Sequence, residues 1–448
     1  MTKKINSILT EVLEKVEPPK EELKVINENL EDFLEKVKKR IKVLKINAEV
    51  FVGGSFAKNT VIKKDYYDVD VFVSFDRKYK DSEISILTEK LLSSVKGVSV
   101  IHGSRDYFRV KVNSYFFIEI IPVTKVAKSS EARNITDLSY SHVKYINKKI
   151  KSKKVLDEIK IAKAFCHANN CYGAESYING FSGYGLELLV YYYGSFLKFI
   201  KAVSTPKDVP SVKRDINTEG KMNKKIVIDI EKHYRNKSIV LMDLNSSKLQ
   251  SPIVLIDPTH KQRNALAALS EETFEKFKKE CKNFLKTPSI KAFEVEKIDL
   301  EKIQKQAEKA KYEFVLIETK TNKQEGDVAG SKLIKFYKHL NSEIEKFFDI
   351  KKKGFDYNAK KSARYFFVVK KKKEISISGP SVNDKKNVSA FKRKHKNTFV
   401  KSKRIYAKEK INFSIENFIE GWKRKNKKKV REMYVKELKI INLKNISY

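Results

Sequence analysis

Cysteine is scarce: Cys166, Cys171 and Cys281 are odd in number and lack the spacing of paired metal ligands, which argues against a disulfide framework or a zinc site. A reducing compartment follows, and the cytoplasm is the expected location. Long apolar runs are also missing. The best candidates, such as Leu186–Tyr193, fall far short of the roughly 20 residues that cross a bilayer. Met1-Thr2-Lys3-Lys4 leads into a charged helix rather than an apolar signal segment, so no membrane partner is expected. Acid is short relative to base, with 56 Asp and Glu against 95 Lys and Arg and a formal net charge of +39. With 41% hydrophobic and 11% aromatic residues there is enough to build packed interiors, which excludes a disordered polyelectrolyte.

A surplus of this sign and size draws polyanions, either nucleic acid or an anionic membrane surface. A Lys-rich proteome is the other source of such an excess. Position separates the two: residues 351–448 alone hold 31 Lys and Arg against 8 Asp and Glu, which marks a dedicated polyanion surface at the C-terminal end.

At 448 residues the chain exceeds one ordinary core, and an α+β multidomain protein is expected. Apolar spacing of three and four predicts helices over Asn6–Val16 and Lys20–Leu44, parted by Pro18-Pro19 and packed on the first sheet. Short β-branched and aromatic segments follow at Ala48–Val52, Val69–Phe75, Val98–His102, Tyr107–Val112 and Tyr115–Ile121, with a helix over Ser85–Ser94. A small α/β domain over 1–139 results. Helical patterns at Asp157–Asn169, Gly185–Ile200 and Glu272–Leu285, the last capped by Ser270, predict a helical domain over 140–288, with a polar loop at Thr205–Ile226. Strands at Phe314–Glu318, Tyr365–Val369, Ile375–Ser378 and Lys403–Lys408 mix with helices over 289–448, an α+β C-terminal region.

One constellation carries chemistry. Gly53-Gly54-Ser55 follows a predicted strand, and Asp68-Val69-Asp70 begins fourteen residues after Gly54. Strand alternation puts Asp68 and Asp70 on one face, about 7 Å apart, with Val69 and Val71 toward the core. A Gly-Ser turn at a helix start offers free N–H groups, a hydroxyl and a positive dipole end to phosphate oxygens, and Lys58 adds a cation one turn later. Nucleotidyl transfer uses two divalent ions, and hard Mg2+ prefers carboxylate oxygens. Glu119, the sole charge in Phe116-Phe117-Ile118-Glu119-Ile120-Ile121, is a candidate third acid, because a carboxylate in so apolar a strand wants a partner or a metal. Singly these are common patterns: a surface strand, an ordinary turn, an acid paired with a neighbouring base. Their order and spacing together single them out.

Gly54-Ser55-Phe56-Ala57-Lys58-Asn59-Thr60 with Asp68-Val69-Asp70-Val71-Phe72 resembles the signature of the polymerase-β-like nucleotidyltransferase superfamily. Lys163-Ala164-Phe165, Tyr172-Gly173-Ala174-Glu175, Gly180-Phe181-Ser182-Gly183-Tyr184 with Glu187-Leu188-Leu189, and Asp257-Pro258 with Arg263-Asn264-Ala265 resemble class I, archaeal CCA-adding enzymes. This resemblance spans nearly the whole chain in order. It implies a nucleotidyltransferase head, a helical neck and a tRNA-binding body and tail. Catalytic metal ligands are implied at Asp68, Asp70 and the position of Glu119, where the family usually has Asp. Nucleotide contacts are implied at Gly54, Ser55, Lys58, Lys163 and Tyr172, with Arg263 as base reader. His142 is also implied near the nucleotide, although Leu138 stands where the family has Arg, and Lys58 also replaces an Arg.

The implied activity is template-independent addition of the tRNA 3′-terminal CCA from CTP and ATP, with Mg2+ as cofactor and pyrophosphate released. The basic C-terminal region, with Arg393, Lys394 and Arg404 among its candidates, would hold the acceptor stem and TΨC arm, since duplex RNA is read by shape. A homodimer is a further expectation. Two rivals share these features: a poly(A) polymerase or oligonucleotide synthase of the superfamily, and a catalytically silent RNA-binding protein on the same scaffold.

Overall fold

Where apolar residues recur every three or four positions the chain coils, and where they alternate it extends. The computed structural model describes residues 2–103, 105–204, 211–216, 222–296 and 298–443. Two units result, Met1–Glu296 and Lys297–Tyr448, each with its own cores. Unit 1 opens with α1 (Thr2–Val16) and α2 (Lys20–Val43), separated at Pro18-Pro19, whose rings supply no N–H to carry a helix through. Helix α2 buries Ile26, Leu30, Phe33, Val37 and Ile41 in the core of the first sheet. Helix α1 corrects the expectation: Ile5, Leu9 and Val12 join the core of the helical section instead, because the proline break frees α1 to follow a different surface from α2.

That sheet is built from β1 (Ala48–Val52), β2 (Tyr67–Phe75), β3 (Val98–Ile101), β4 (Tyr107–Lys111) and β5 (Phe116–Thr124), with α3 (Asp81–Leu92) crossing over. Its strand order is β1-β2-β5-β4-β3. Strands β2 and β5 run parallel, with Asp70 opposite Glu119 and Asp68 opposite Phe117. Val69, Val71 and Val73 are fully buried, so alternation turns both aspartates outward on the other face.

The helical section comprises α4 (Ser139–Lys149), α5 (Lys153–Ala168), α6 (Gly183–Tyr193), α7 (Phe196–Ser204), α8 (Lys237–Asp243) and α9 (Glu271–Lys286). Phe165, Phe181, Phe199, Phe277 and Phe284 fill its core. Ser270 caps α9 as expected, its hydroxyl accepting from Thr273 N–H at 3.2 Å. The single helix expected over Gly185–Ile200 is two: Gly194, at φ 79°, takes the left-handed turn that ends α6. A four-stranded sheet, β6 (Ser211–Ile216), β7 (Met222–Ile228), β8 (Ile253–Asp257) and β9 (His260–Asn264), also stands here. The end of β7 and all of β8 meet the strand expected over Lys225–Ile230 and the extended segment at Ile253–Asp257, whereas β6 and the start of β7 fall within the span read as a polar loop, whose residues 205–210 and 217–221 lie outside the described residues. Polar Lys-rich strands give no apolar alternation to read.

Unit 2 contains α10 (Leu300–Lys309), β10 (Glu313–Lys320), α11 (Asp327–Glu345), β11 (Phe348–Tyr357), β12 (Ser362–Lys371) and β13 (Glu374–Ser381). It continues with α12 (Lys385–Lys394), β14 (Thr398–Lys401), β15 (Arg404–Lys410), α13 (Ile415–Lys425), α14 (Lys427–Glu432) and β16 (Glu437–Ile440). The strands form one sheet of order β11-β12-β10-β16 and a small one of order β13-β15-β14. Tyr365, Phe367 and Trp422 are core residues, and their neighbouring lysines are solvated. The Lys351-Lys352-Lys353 run lies within β11 and is exposed. No helix among the described residues is long and apolar enough to cross a membrane.

Candidate functional site

The edge of β2 and β5 gathers like charges. Asp68 is exposed and Asp70 half-buried, and Glu119 sits beside Asp70 in register. Burial, then the charges of Glu119 and Asp68, push the Asp70 carboxyl up to about 7. Among the described residues no hydrogen-bond donor reaches that carboxyl. Asp68 Oδ2 lies 3.7 Å from Lys64 Nζ. Glu119 takes the alternative of pairing with a base, here an arginine: Arg109, its register partner on β4, donates Nε to Glu119 Oε1 at 3.0 Å and an Nη2 hydrogen to the same oxygen. Among the described residues no group of three His, Cys, Asp or Glu side chains is disposed to hold a metal ion as it stands. Asp68 and Asp70 fit a hard divalent cation by donor type, face and uncompensated charge. Glu119 joins them only by loosening its hold on Arg109.

The Gly-Ser segment lies against this face. Gly53 N–H donates to Asp70 O at 2.8 Å. At Gly54 a side chain is impossible: φ is +60° and a Cβ would stand 1.7 Å from Asp70 Oδ2. The expected helix start is absent. Residues 54–59 form a turn, closed by Thr60 N–H to Ser55 O at 3.0 Å, with Asn59 left-handed at φ 53°, so no helix dipole acts here. The N–H groups of Gly54, Ser55 and Phe56 donate to nothing among the described residues, and such consecutive free donors make an anion nest.

Lys58 and Lys163, read as phosphate contacts, meet a buried carboxylate. Glu187 on α6 is 0% exposed, against 7% for Lys58 and 2% for Lys163. Lys58 Nζ donates to Glu187 Oε2 at 2.6 Å, and Lys163 Nζ to Oε1 at 2.9 Å. Thr60 Oγ1 donates to Oε1 at 2.8 Å and accepts from Lys163 at 2.8 Å. Burial alone would raise the Glu187 carboxyl, but the two lysines overcome it and hold it at about 2. Burial depresses Lys58. The lysines are thus members of an ion cluster that joins the 55–60 turn to α5 and α6.

Around α4, α6 and β8 a second network forms. His142 Nε2 lies 3.0 Å from Asp257 Oδ2, and the ring stacks on Tyr184 with centroids 4.1 Å apart. Arg263 Nη1 donates to Asp257 Oδ2 at 2.6 Å and lies 3.3 Å from His142 Nε2, while Tyr184 OH donates to Asp257 Oδ1 at 3.1 Å. Burial keeps His142 below the ordinary histidine range. Burial opposes ionisation of Asp257, but His142 and Arg263 prevail and hold it well below the usual carboxylate range. His142 and Arg263 are therefore brought together on an acid that sequence reading had treated only as part of a motif. Tyr172 packs against His167, centroids 4.2 Å apart. Asp137 is buried beneath Arg105, which donates Nη1 to Oδ1 at 2.5 Å.

In unit 2, Arg393 and Lys394 end α12 and Arg404 starts β15, all exposed. Among the described residues none of the three has an ion-pair partner.

Sequence reading missed the roles of Glu187, Asp257, Tyr184 and Arg109. A signal existed for Glu187: it is the lone charge of Gly183-Tyr184-Gly185-Leu186-Glu187-Leu188-Leu189-Val190, the same mark that drew attention to Glu119. Arg109 shows up only once the register of β4 on β5 is known.

Residues 30–131 match a family profile described as a nucleotidyltransferase domain, and residues 157–294 match the second domain of tRNA nucleotidyltransferase. The chain is 38% identical over 227 residues to the CCA-adding enzyme of Nanoarchaeum equitans, covering 50% of this chain and 52% of that protein. It therefore spans about half the length of that relative. To the CCA-adding enzyme of Methanocaldococcus jannaschii it is 27% identical over 417 residues, covering 90% and 87%. The solved Cid1 poly(U) polymerase, bound to Mg and 3′-dATP, aligns with TM-score 0.50 at 13% identity, covering 66% of this chain and 100% of that one. At that identity the likeness is one of fold.

Proposed function

We propose that the chain is an archaeal-type CCA-adding enzyme of the polymerase-β-like nucleotidyltransferase superfamily, a reading that its similarity to such enzymes and its two matched domains support, and that it builds and repairs the 3′-terminal CCA of tRNA from CTP and ATP. The observation that carries this reading is Asp70: a carboxyl pushed up to about 7 beside two further acids, without a donor among the described residues, and pressed against a glycine turn with free N–H groups. Asp68 and Asp70 would hold Mg2+, with Glu119 as third acid. Bound there, the metal supplies positive charge for the attacking hydroxyl and the departing pyrophosphate.

The reaction forms one bond and breaks one. The RNA 3′-oxygen attacks the α-phosphorus, its proton passes to solvent water, and the bond from phosphorus to the bridging oxygen breaks as pyrophosphate takes the electron pair. The free N–H groups of Gly54, Ser55 and Phe56 suit triphosphate oxygens, and the Ser55 hydroxyl can join them. Lys58 and Lys163 contribute charge from their cluster, and Tyr172 shapes its wall. Arg263 offers its remaining N–H groups to a nucleobase edge, while Asp257 fixes the guanidinium and His142 beside it. The exposed Arg393, Lys394 and Arg404 suit the phosphates of the tRNA acceptor stem and TΨC arm.

Incubating the protein with tRNA lacking its last three, two or one nucleotides, a divalent metal and labelled CTP or ATP tests the reading. Ordered addition of C, C and A is expected; unlimited A tails or no incorporation overturns it. The Arg109 grip on Glu119 favours one rival, a silent RNA-binding scaffold, which predicts tRNA binding with no incorporation at any metal concentration.

A further inference from the structure

Glu187 belongs to none of the groups that would touch substrate, yet it is fully buried and holds two lysines. Its two oxygens divide the labour: Oε2 takes Lys58, and Oε1 takes Lys163 and Thr60. Two ammonium groups on one carboxylate leave a surplus of one positive charge in a desolvated place, which is unfavourable unless an anion lies near. The cluster borders the acidic face, since Lys58 and Thr60 belong to the turn whose Gly54 is packed against the Asp70 carboxylate. Without Glu187 the two lysines would repel, and Lys58 would lose the oxygen that fixes its head.

We propose that Glu187 is a positioning residue for the nucleotide triphosphate: it binds Lys58 and Lys163 into one net-cationic unit, set beside the Gly54 turn, that receives phosphate charge. This rests on the nucleotidyltransferase reading above and names the device that aims its cations. Lys58 comes from the turn after β1 and Lys163 from α5, so the carboxylate on α6 is the common point that fixes both against each other. Thr60 completes the unit, because its hydroxyl donates to Glu187 while accepting from Lys163.

The test uses the full chain, with inorganic tripolyphosphate binding measured by calorimetry, ATP kinetics on truncated tRNA, and circular-dichroism melting to confirm folding. Glu187→Gln keeps the shape and removes the charge; it is expected to weaken tripolyphosphate binding and raise KM for ATP by about tenfold or more, with kcat at saturating ATP falling less than KM rises. Glu187→Asp, which keeps the charge, should lie between Gln and the wild type. Unchanged or tighter tripolyphosphate binding by Glu187→Gln overturns the proposal, because that is the outcome if Glu187 merely competes with phosphate for the lysines. Should Glu187→Gln fail to fold, Thr60→Val carries the test: it keeps all three charges but removes the hydroxyl that bridges Lys163 and Glu187, so weaker tripolyphosphate binding supports the proposal and unchanged binding sinks it. A wild type that binds tripolyphosphate in a Glu187-dependent way yet adds no nucleotide supports this inference while overturning the functional reading. Nucleotide addition with Glu187-independent tripolyphosphate binding does the reverse.

Discussion

Asp70 and Glu187 are carboxylates of the same unit that titrate in opposite directions. Asp70 is pushed up to about 7 by burial and by the acids Glu119 and Asp68. Glu187, buried more completely, is pulled down to about 2 because Lys163 and Lys58 outweigh its desolvation. Burial is common to both; the partners decide the sign. A carboxylate surrounded by carboxylates is in want of a cation, and a carboxylate holding two ammonium groups leaves its surroundings in want of an anion. A metal–triphosphate complex meets both demands at once.

The comparison breaks most sharply at Asp70. Asp70→Asn should lower CTP and ATP incorporation on the order of 10³-fold, the kinetic equivalent of the several kcal/mol a metal site supplies, with tRNA affinity in a filter-binding assay unchanged. Full incorporation would remove Asp70 from the site.

Next in size is stability at Glu187. Glu187→Gln leaves two buried ammonium groups uncompensated and should cost about 3–5 kcal/mol in urea denaturation. The pH dependence follows from the sign of the shift. A carboxyl depressed from 4.5 to about 2 stabilises the fold fully above about pH 4.5, and that contribution is lost as pH falls through about 2. The acid limb of the wild-type stability curve should therefore be steeper than that of the variant between pH 4.5 and 2; identical limbs would place the stabilisation elsewhere.

A smaller effect sharpens the acidic side. Arg109→Gln frees Glu119, and because the guanidinium is partly exposed the gain is bounded by what a surface ion pair is worth. The Mg2+ concentration for half-maximal activity should fall by at most about fivefold, and Glu119→Asp should preserve or raise activity. A rise in the Mg2+ requirement of Arg109→Gln would instead make Arg109 a support for the acid. The smallest expected change is at Arg404, where Ala should weaken tRNA binding across sequences and reduce its salt slope by about 1.

The acidic face was legible because it rests on short-range rules: alternation places Asp68 and Asp70 together, and an acid in the apolar Phe116–Ile121 run stands out. Helix α2 and the Ser270 cap were legible for the same reason. The turn at Gly54 was misread as a helix start, since its geometry depends on Glu187 drawing in Lys58 and Thr60 from 129 and 127 residues away. The loop reading of Thr205–Ile226 failed where β6 pairs with β7 and β7 with β8, because pairing partners, not local pattern, define them.

By itself the sequence determined the charge asymmetry, the order of the elements and the identity of the acids on β2, all fixed by composition and by periods of two and 3.6. Tertiary structure alone decided which cation faces which anion: Arg109 on Glu119, two lysines on Glu187, His142 and Arg263 on Asp257. Such pairings depend on the register and packing of segments far apart in the chain. In a desolvated interior, a few ångströms decide whether a carboxylate is a metal ligand in waiting or the anchor of a cationic cluster.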